Sequence, residues 1–222
     1  MEAAQWDQYK VDATPKGIGL YGRVYFGYDI YTKQKVAIKQ LSNISVAKKE
    51  ALIMRSYGKF KYLPDFYKFF ILGQKGYIVM EKIEGKTIGT CNFYKKGKRR
   101  SPEQATRVLI DILKAIHYLH QRGIVHNDLL PKNVMTANDK RANLKVIDFN
   151  KAKCTRDIKY RKKDLYQAAL MCIYLINGVV PKHAHTFRLP DKQLQRILMN
   201  AIRYKYQSAQ AFINALKSLR QV

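Results

Sequence analysis

Two short apolar runs, each leading into a carboxylate, constrain this chain more than any other feature. Ile124 and Val125 lead into His126-Asn127-Asp128, and Asn133 follows five residues after the aspartate. Fifteen residues beyond Asn133, after the apolar run at 144–147, comes Asp148, followed by Phe149. A carboxylate at the end of a buried strand costs free energy unless a partner or a metal takes it. The chain has 16 acidic residues against 42 Lys and Arg, so two acids in such places are not surface decoration. The region 124–149 reads as short strands around a polar loop, with the rest of the chain built to serve it.

The flanking sequence divides in two. Residues 1–16 are polar, with a strand start near Tyr9 to Val11 and a stop at Thr14-Pro15. Gly17, Gly19 and Gly22 follow, flanked by Ile18, Val24 and the alternating Tyr25-Phe26-Gly27-Tyr28, which reads as strand–turn–strand. In a dinucleotide-binding unit such glycines open a helix. Here β-rich sequence continues into Val36-Ala37-Ile38-Lys39, so a hairpin lying over phosphates fits better; taken alone, the glycines also fit an ordinary β-turn. A helix over 45–57, with Glu50 its only acid, and strands over 66–72 and 77–81 complete a small sheet. Residues 83–87 read as a linker. Gly85-Lys86-Thr87 echoes the end of a Walker loop, but Met80 stands where that loop needs its first glycine.

Beyond the linker the spacing becomes helical. Ser101 caps a helix with Pro102 at its first position and Val108, Ile112, Ala115, Ile116 and Leu119 on one face. A nearly all-apolar helix runs over 164–176, and two amphipathic helices occupy 192–202 and 208–219. The expected fold is α+β: a small antiparallel sheet with one helix over 1–82 and a mostly helical lobe over 83–222, together one domain.

Composition bounds the setting. The formal net charge of +26 and pI near 10.0 favour a polyanion partner such as nucleic acid or anionic lipid; a lysine-rich composition alone accounts for the charge equally well. No apolar run reaches the ~18 residues that span a bilayer, the N-terminus lacks a signal pattern, and the three cysteines have no metal-ligand spacing. The expectation is a cytoplasmic protein.

A carboxylate base, an amide and a second carboxylate at these offsets are what metal-assisted phosphoryl transfer needs. The chain resembles the eukaryotic-type (Hanks-type) serine/threonine protein kinase superfamily, in the form of a compact bacterial or viral-like member. The resemblance rests on four motifs in order: Gly17, Gly19, Gly22 and Val24 of the glycine-rich loop; Val36 to Lys39; His126, Asp128 and Asn133; and Asp148-Phe149. It implies an ATP- and Mg²⁺-dependent kinase acting on protein hydroxyls, with Asp128 as catalytic base. By the same resemblance, Lys39 reaches the α- and β-phosphates with Glu50 holding it, and Asn133 and Asp148 bind the metal. Met80 backs the adenine pocket, Glu81 to Ile83 offer backbone hydrogen bonds to the base, and Val24, Ala37 and Met135 sandwich it. His126 and Phe149 pack beneath the site.

Four departures qualify the expectation. Asn127 replaces the arginine that normally meets a phosphorylated activation segment. Leu130 replaces the lysine two residues after the base, with Lys132 as the nearest substitute in sequence. Asn150 replaces a glycine, a position where asparagine's tolerance of left-handed backbone is useful. Only sixteen residues separate Asp148 from Asp164, without an Ala-Pro-Glu motif; the basic strip 151–163, with Thr155 and Tyr160 as candidate modification sites, replaces the peptide cradle. The alternatives are therefore a nucleotide-binding pseudokinase that regulates another kinase and a small-molecule phosphotransferase. The sequence does not name a protein substrate.

Overall fold

The computed structural model describes residues 4–19, 22–137 and 140–220. The tip of the expected glycine hairpin, Leu20-Tyr21, lies outside the described residues, as do the first three residues. The chain forms two compact units, Met1–Glu84 and Gly85–Val222.

The first unit is a seven-stranded antiparallel sheet with one helix. Its strands are β1 (Ala4–Trp6), β2 (Tyr9–Val11), β3 (Gly17–Ile18), β4 (Gly22–Asp29), β5 (Lys35–Leu41), β6 (Phe66–Leu72) and β7 (Lys75–Glu81), and its helix is α1 (Ile44–Tyr57). The spatial order is β1-β2-β4-β5-β7-β6, with β3 paired to β4. Period-two alternation drives this arrangement: Tyr9, Val11, Tyr25, Val36, Ile38, Tyr77 and Val79 fall on one face and bury together. Trp6 packs edge-on against Tyr25 and Tyr77 at 4.7 and 5.0 Å between ring centroids. Helix α1 starts where the Asn43 side chain accepts from the Val46 N–H at 3.0 Å and buries Ala47, Glu50, Ala51 and Met54.

The second unit holds β8 (Lys86–Thr87), α2 (Pro102–Gln121), β9 (Ile124–Val125), β10 (Val134–Ala137), β11 (Lys140–Val146), β12 (Lys153–Cys154), α3 (Ile158–Asn177), α4 (Lys192–Ile202) and α5 (Ala209–Lys217). Ser101 and Gln104 close a reciprocal capping box on α2. Helices α2 and α3 carry the unit's core, with Leu109, Ile112, Leu113, Ile116, Leu165, Ala168, Ala169 and Met171 buried.

Three sequence expectations need correction. Residues 86–87 are a strand rather than part of a linker: Thr87 pairs with Met135 and Lys86 with Thr136. Two residues are too few to show alternation. Helix α3 starts at Ile158, six residues before the expected position. Asp157 caps it by accepting from the Lys159 N–H at 2.8 Å, and its first two turns are too basic to show an apolar face. Half of the basic strip is therefore helical, and Tyr160 is a helix residue whose hydroxyl accepts from Lys153.

Among the described residues no helix is long and apolar enough to cross a membrane. Cys91 and Cys154 are exposed and Cys172 is buried in α3, where burial pushes its thiol up to about 12. Two thiols are expected to react with a disulfide reagent in the native chain at mildly alkaline pH, and the third only on denaturation. Titration of native and denatured protein checks this; fast reaction of all three contradicts the packing of α3.

Candidate functional site

In the first unit, β5 places Lys39 opposite Val24 of β4 and Ile78 of β7. The helical repeat brings Glu50 onto the buried face of α1. The Lys39 ammonium lies 2.8 Å from Glu50 Oε1 and 3.0 Å from Oε2, and both residues are buried. Such a pair holds the lysine in a fixed position, and loss of either partner strands a buried charge at about 3–5 kcal/mol.

Of the residues expected around the adenine, Val24, Ala37, Met80 and Glu81 lie in this sheet and Ile83 follows it. Ala37 is buried and stands opposite Phe26 and Met80. Val24, Met80, Glu81 and Ile83 are half-buried. The Glu81 N–H donates to Asp65 O at 2.9 Å, and its carboxylate accepts from the Asp65 N–H at 3.1 Å, so that N–H is engaged inside the sheet. Ile83 enters no backbone hydrogen bond among the described residues. The three glycines differ in kind. A Cβ on Gly22 would lie 2.1 Å from Gln40 O, whereas on Gly17 or Gly19 it would meet nothing closer than 3.7 Å among the described residues. Neither Gly17 nor Gly19 has positive φ. Of these three, only Gly22 is required by the sheet.

In the second unit, β9 runs into the polar loop, which is fastened from below by one carboxylate. Asp164, fully buried on α3, accepts from the His126 N–H at 2.9 Å and the Asn127 N–H at 2.7 Å. His120 Nε2 lies 2.8 Å from the same carboxylate. These contacts hold Asn127 at φ 62°, in the left-handed region, where asparagine is among the better-tolerated residues. His126 is buried as expected, with Nε2 3.1 Å from Ile147 O and its ring against Phe149.

The loop then presents Asp128 and Asn133 together. Asn133 Nδ2 donates to Asp128 O at 2.8 Å and to Asp128 Oδ2 at 3.2 Å. With the amide nitrogen so engaged, Oδ1 is the Asn133 atom left for a cation. Val134 pairs with Val146 and the Ile147 N–H donates to Asn133 O at 2.9 Å. The ends of β10 and β11 thus set Asn133 against Ile147, the residue before Asp148. Met135, one strand position further, pairs with Thr87 and Lys145.

The remaining departures have structural outcomes. The left-handed residue after β11 is Asp148, at φ 67°, and Asn150 is not left-handed. Asn150 instead donates from Nδ2 to Asp148 Oδ1 at 2.7 Å, fixing that carboxylate. Asn127 ties both ends of the short segment: Nδ2 donates to Lys151 O at 3.1 Å and Oδ1 accepts from Lys163 Nζ at 2.7 Å. Lys132 makes no ion pair among the described residues; Lys151 does, with Nζ 2.9 Å from Asp128 Oδ1. Sequence reasoning missed Asp164, His120, Lys151 and Lys163. Of these, only Asp164, a carboxylate inside an apolar helix, carried a signal.

The protein kinase domain family model matches residues 13–169. A probable serine/threonine-protein kinase of Bacillus subtilis, YbdM, is 35% identical over 170 residues, covering 71% of this chain and 64% of its own length. CDPK-related kinase 7 of Arabidopsis thaliana is 33% identical over 148 residues, or 59% of this chain and 26% of its own. The chain thus spans less than two thirds of the curated relatives it matches here. The crystal structure of the Mycobacterium tuberculosis PknI kinase domain superposes with a TM-score of 0.76, covering 98% of both chains at 18% identity, which shows a shared fold. With the family model matching well over half of its length, this chain belongs to the Hanks-type protein kinase superfamily.

Proposed function

We propose that the chain transfers the γ-phosphate of ATP to a serine or threonine hydroxyl of a protein, with Asp128 as the base. The observation that carries this reading is the Asp128–Asn133 pair. One amide donates to both the backbone and a side-chain oxygen of Asp128, leaving its own oxygen able to hold a cation. Asp128 then orients the incoming hydroxyl and takes its proton.

The donor set fits Mg²⁺. Asn133 Oδ1 and the Asp148 carboxylate are hard oxygen ligands, and Mg²⁺ is commonly held by one or two carboxylates with phosphate and water completing its shell. No cluster of three or more His, Cys, Asp or Glu occurs among the described residues that would mark an all-protein metal site. The bound ion would neutralise charge on the phosphates. Lys39, held by Glu50, supplies a fixed ammonium for the α- and β-phosphates, and the unengaged backbone of Ile83 suits the adenine edge.

Gly17 and Gly19 support a phosphate-covering hairpin because the fold itself does not demand them. A Cβ there would intrude on a ligand rather than on the protein. Gly19→Ala is therefore expected to leave Tm within about 1 °C and to weaken ATP binding about tenfold, whereas Gly22→Ala lowers Tm outright. Thermal melts with and without nucleotide separate the two. Equal effects of both substitutions on Tm would contradict the assignment.

A regulatory pseudokinase is the second reading, favoured by Leu130 where the family has a lysine. It predicts stabilisation by ATP without turnover. Transfer of labelled phosphate to a protein acceptor decides between the readings: wild-type labelling abolished in Asp128→Asn supports the kinase.

A further inference from the structure

Lys151 stands where the missing cation is needed, although it comes from a different part of the chain. Resting on the kinase reading, we infer that Lys151 replaces the lysine lost at position 130 and is a further catalytic residue, neutralising the phosphoryl group during transfer.

The argument begins with what Leu130 leaves undone. In the transfer step, the acceptor oxygen bonds to the γ-phosphorus as the bond from that phosphorus to the β,γ-bridging oxygen breaks. ADP departs, and the hydroxyl proton passes to the Asp128 carboxylate. Charge on the three equatorial oxygens must be met by cations, and on the acceptor side this requires one beside the base. Leu130 is a half-buried aliphatic residue whose backbone N–H is turned into the loop, 2.8 Å from Asp128 O. Its side chain has no charge to offer. Lys132, the nearest base in sequence, sits in the 3-10 turn Pro131–Asn133 and forms no ion pair among the described residues.

Strand pairing brings Lys151 to the base. Strand β12 pairs antiparallel with β9 in the register Lys153 opposite Val125. Two residues back along β12, and two forward along β9, that register sets Lys151 opposite Asn127, next to Asp128. The backbone there is pinned: Asn127 Nδ2 donates to Lys151 O at 3.1 Å, and the Ala152 N–H donates to Phe149 O at 3.0 Å. From this turn the Lys151 ammonium reaches Asp128 Oδ1 at 2.9 Å. A hydroxyl hydrogen-bonded to Asp128 has its oxygen about 3 Å from the carboxylate, and a phosphorus in line for attack lies about 3 Å further on. An ammonium 2.9 Å from Asp128 Oδ1 is within one side-chain rotation of the transferring oxygens. The Lys151 side chain is 47% exposed, so its reach does not require the core to move.

A merely structural lysine, compensating Asp128, would also pair with it. Moving the charge discriminates between the two. The experiment compares wild type, Lys151→Met, Lys151→Arg and the double variant Leu130→Lys/Lys151→Met, with exposed Lys159→Met as the surface-charge control. It measures kcat, KM for ATP, and Tm. Lys151→Met is expected to lower kcat about 100-fold while KM for ATP stays within about twofold. Lys151→Arg should retain more activity than the methionine variant, and adding Lys at 130 should restore at least about tenfold of the loss. Lys159→Met should match wild type. If Lys151→Met keeps kcat within about threefold of wild type, the inference fails while the kinase reading stands. The same holds if Leu130→Lys restores nothing to a folded Lys151→Met, judged by Tm. A wild type without Asp128-dependent transfer overturns both.

Discussion

Asp164→Ala is expected to lower the stability of the second unit by about 3–6 kcal/mol, a large share of what holds a domain together. The size follows from what the carboxylate serves. It accepts from two consecutive backbone N–H groups, of His126 and Asn127, and lies 2.8 Å from His120 Nε2. It is fully buried, so no solvent replaces it. Each amide left without an acceptor in that setting costs about 1–3 kcal/mol, and the left-handed backbone of Asn127 then loses the contact that holds it. For a chain of this length, the loss corresponds to a fall in Tm of about 6–24 °C. Asp164→Asn, which keeps one carbonyl oxygen, should fall in between. Differential scanning calorimetry of the three proteins checks the order. A Tm for Asp164→Ala within about 2 °C of wild type would contradict the account of how the loop is held.

The legible parts of the sequence were those with a local signature. Alternation gave the sheet of the first unit, and the Ser101-Pro102 start gave α2. The motifs singled out Lys39, Asp128 and Asn133, Glu50 stood out as the only acid of its helix, and the structure joins these in two pairs, Lys39–Glu50 and Asp128–Asn133. The hidden parts depend on register between distant segments. Lys151 reaches Asp128 only because β12 pairs with β9, and both strands are two residues long. The start of α3 was masked because its first two turns carry lysine and arginine instead of an apolar face. Asn150 was read for its backbone tolerance, yet its side chain matters more, through the bond to Asp148. The basic strip 151–163 was read only as standing in place of the peptide cradle. In the fold, Lys151, Lys153, Arg161 and Lys163 each have a partner inside the protein.

Asp128→Asn is expected to reduce phosphoryl transfer by about 10²–10⁴-fold, the usual contribution of a positioned base. It is a cleaner probe than Lys39→Ala. Removing Lys39 strands the buried Glu50, so any loss of activity there would be mixed with about 3–5 kcal/mol of destabilisation. Asparagine at 128 keeps the shape of the side chain and retains one oxygen, enough for either Lys151 or Asn133, which meet different carboxylate oxygens in the wild type. ATP-dependent stabilisation should therefore survive in Asp128→Asn although transfer does not. That split separates the base from the nucleotide-binding groups and distinguishes a kinase from a pseudokinase.

The most direct test of the central claim is the initial rate of label transfer from γ-labelled ATP to a protein acceptor in the presence of Mg²⁺, with wild type and Asp128→Asn side by side. The account predicts measurable transfer by wild type and a rate at least about 100-fold lower for the variant, with ATP raising both Tm values alike. Equal labelling by the two proteins would contradict it.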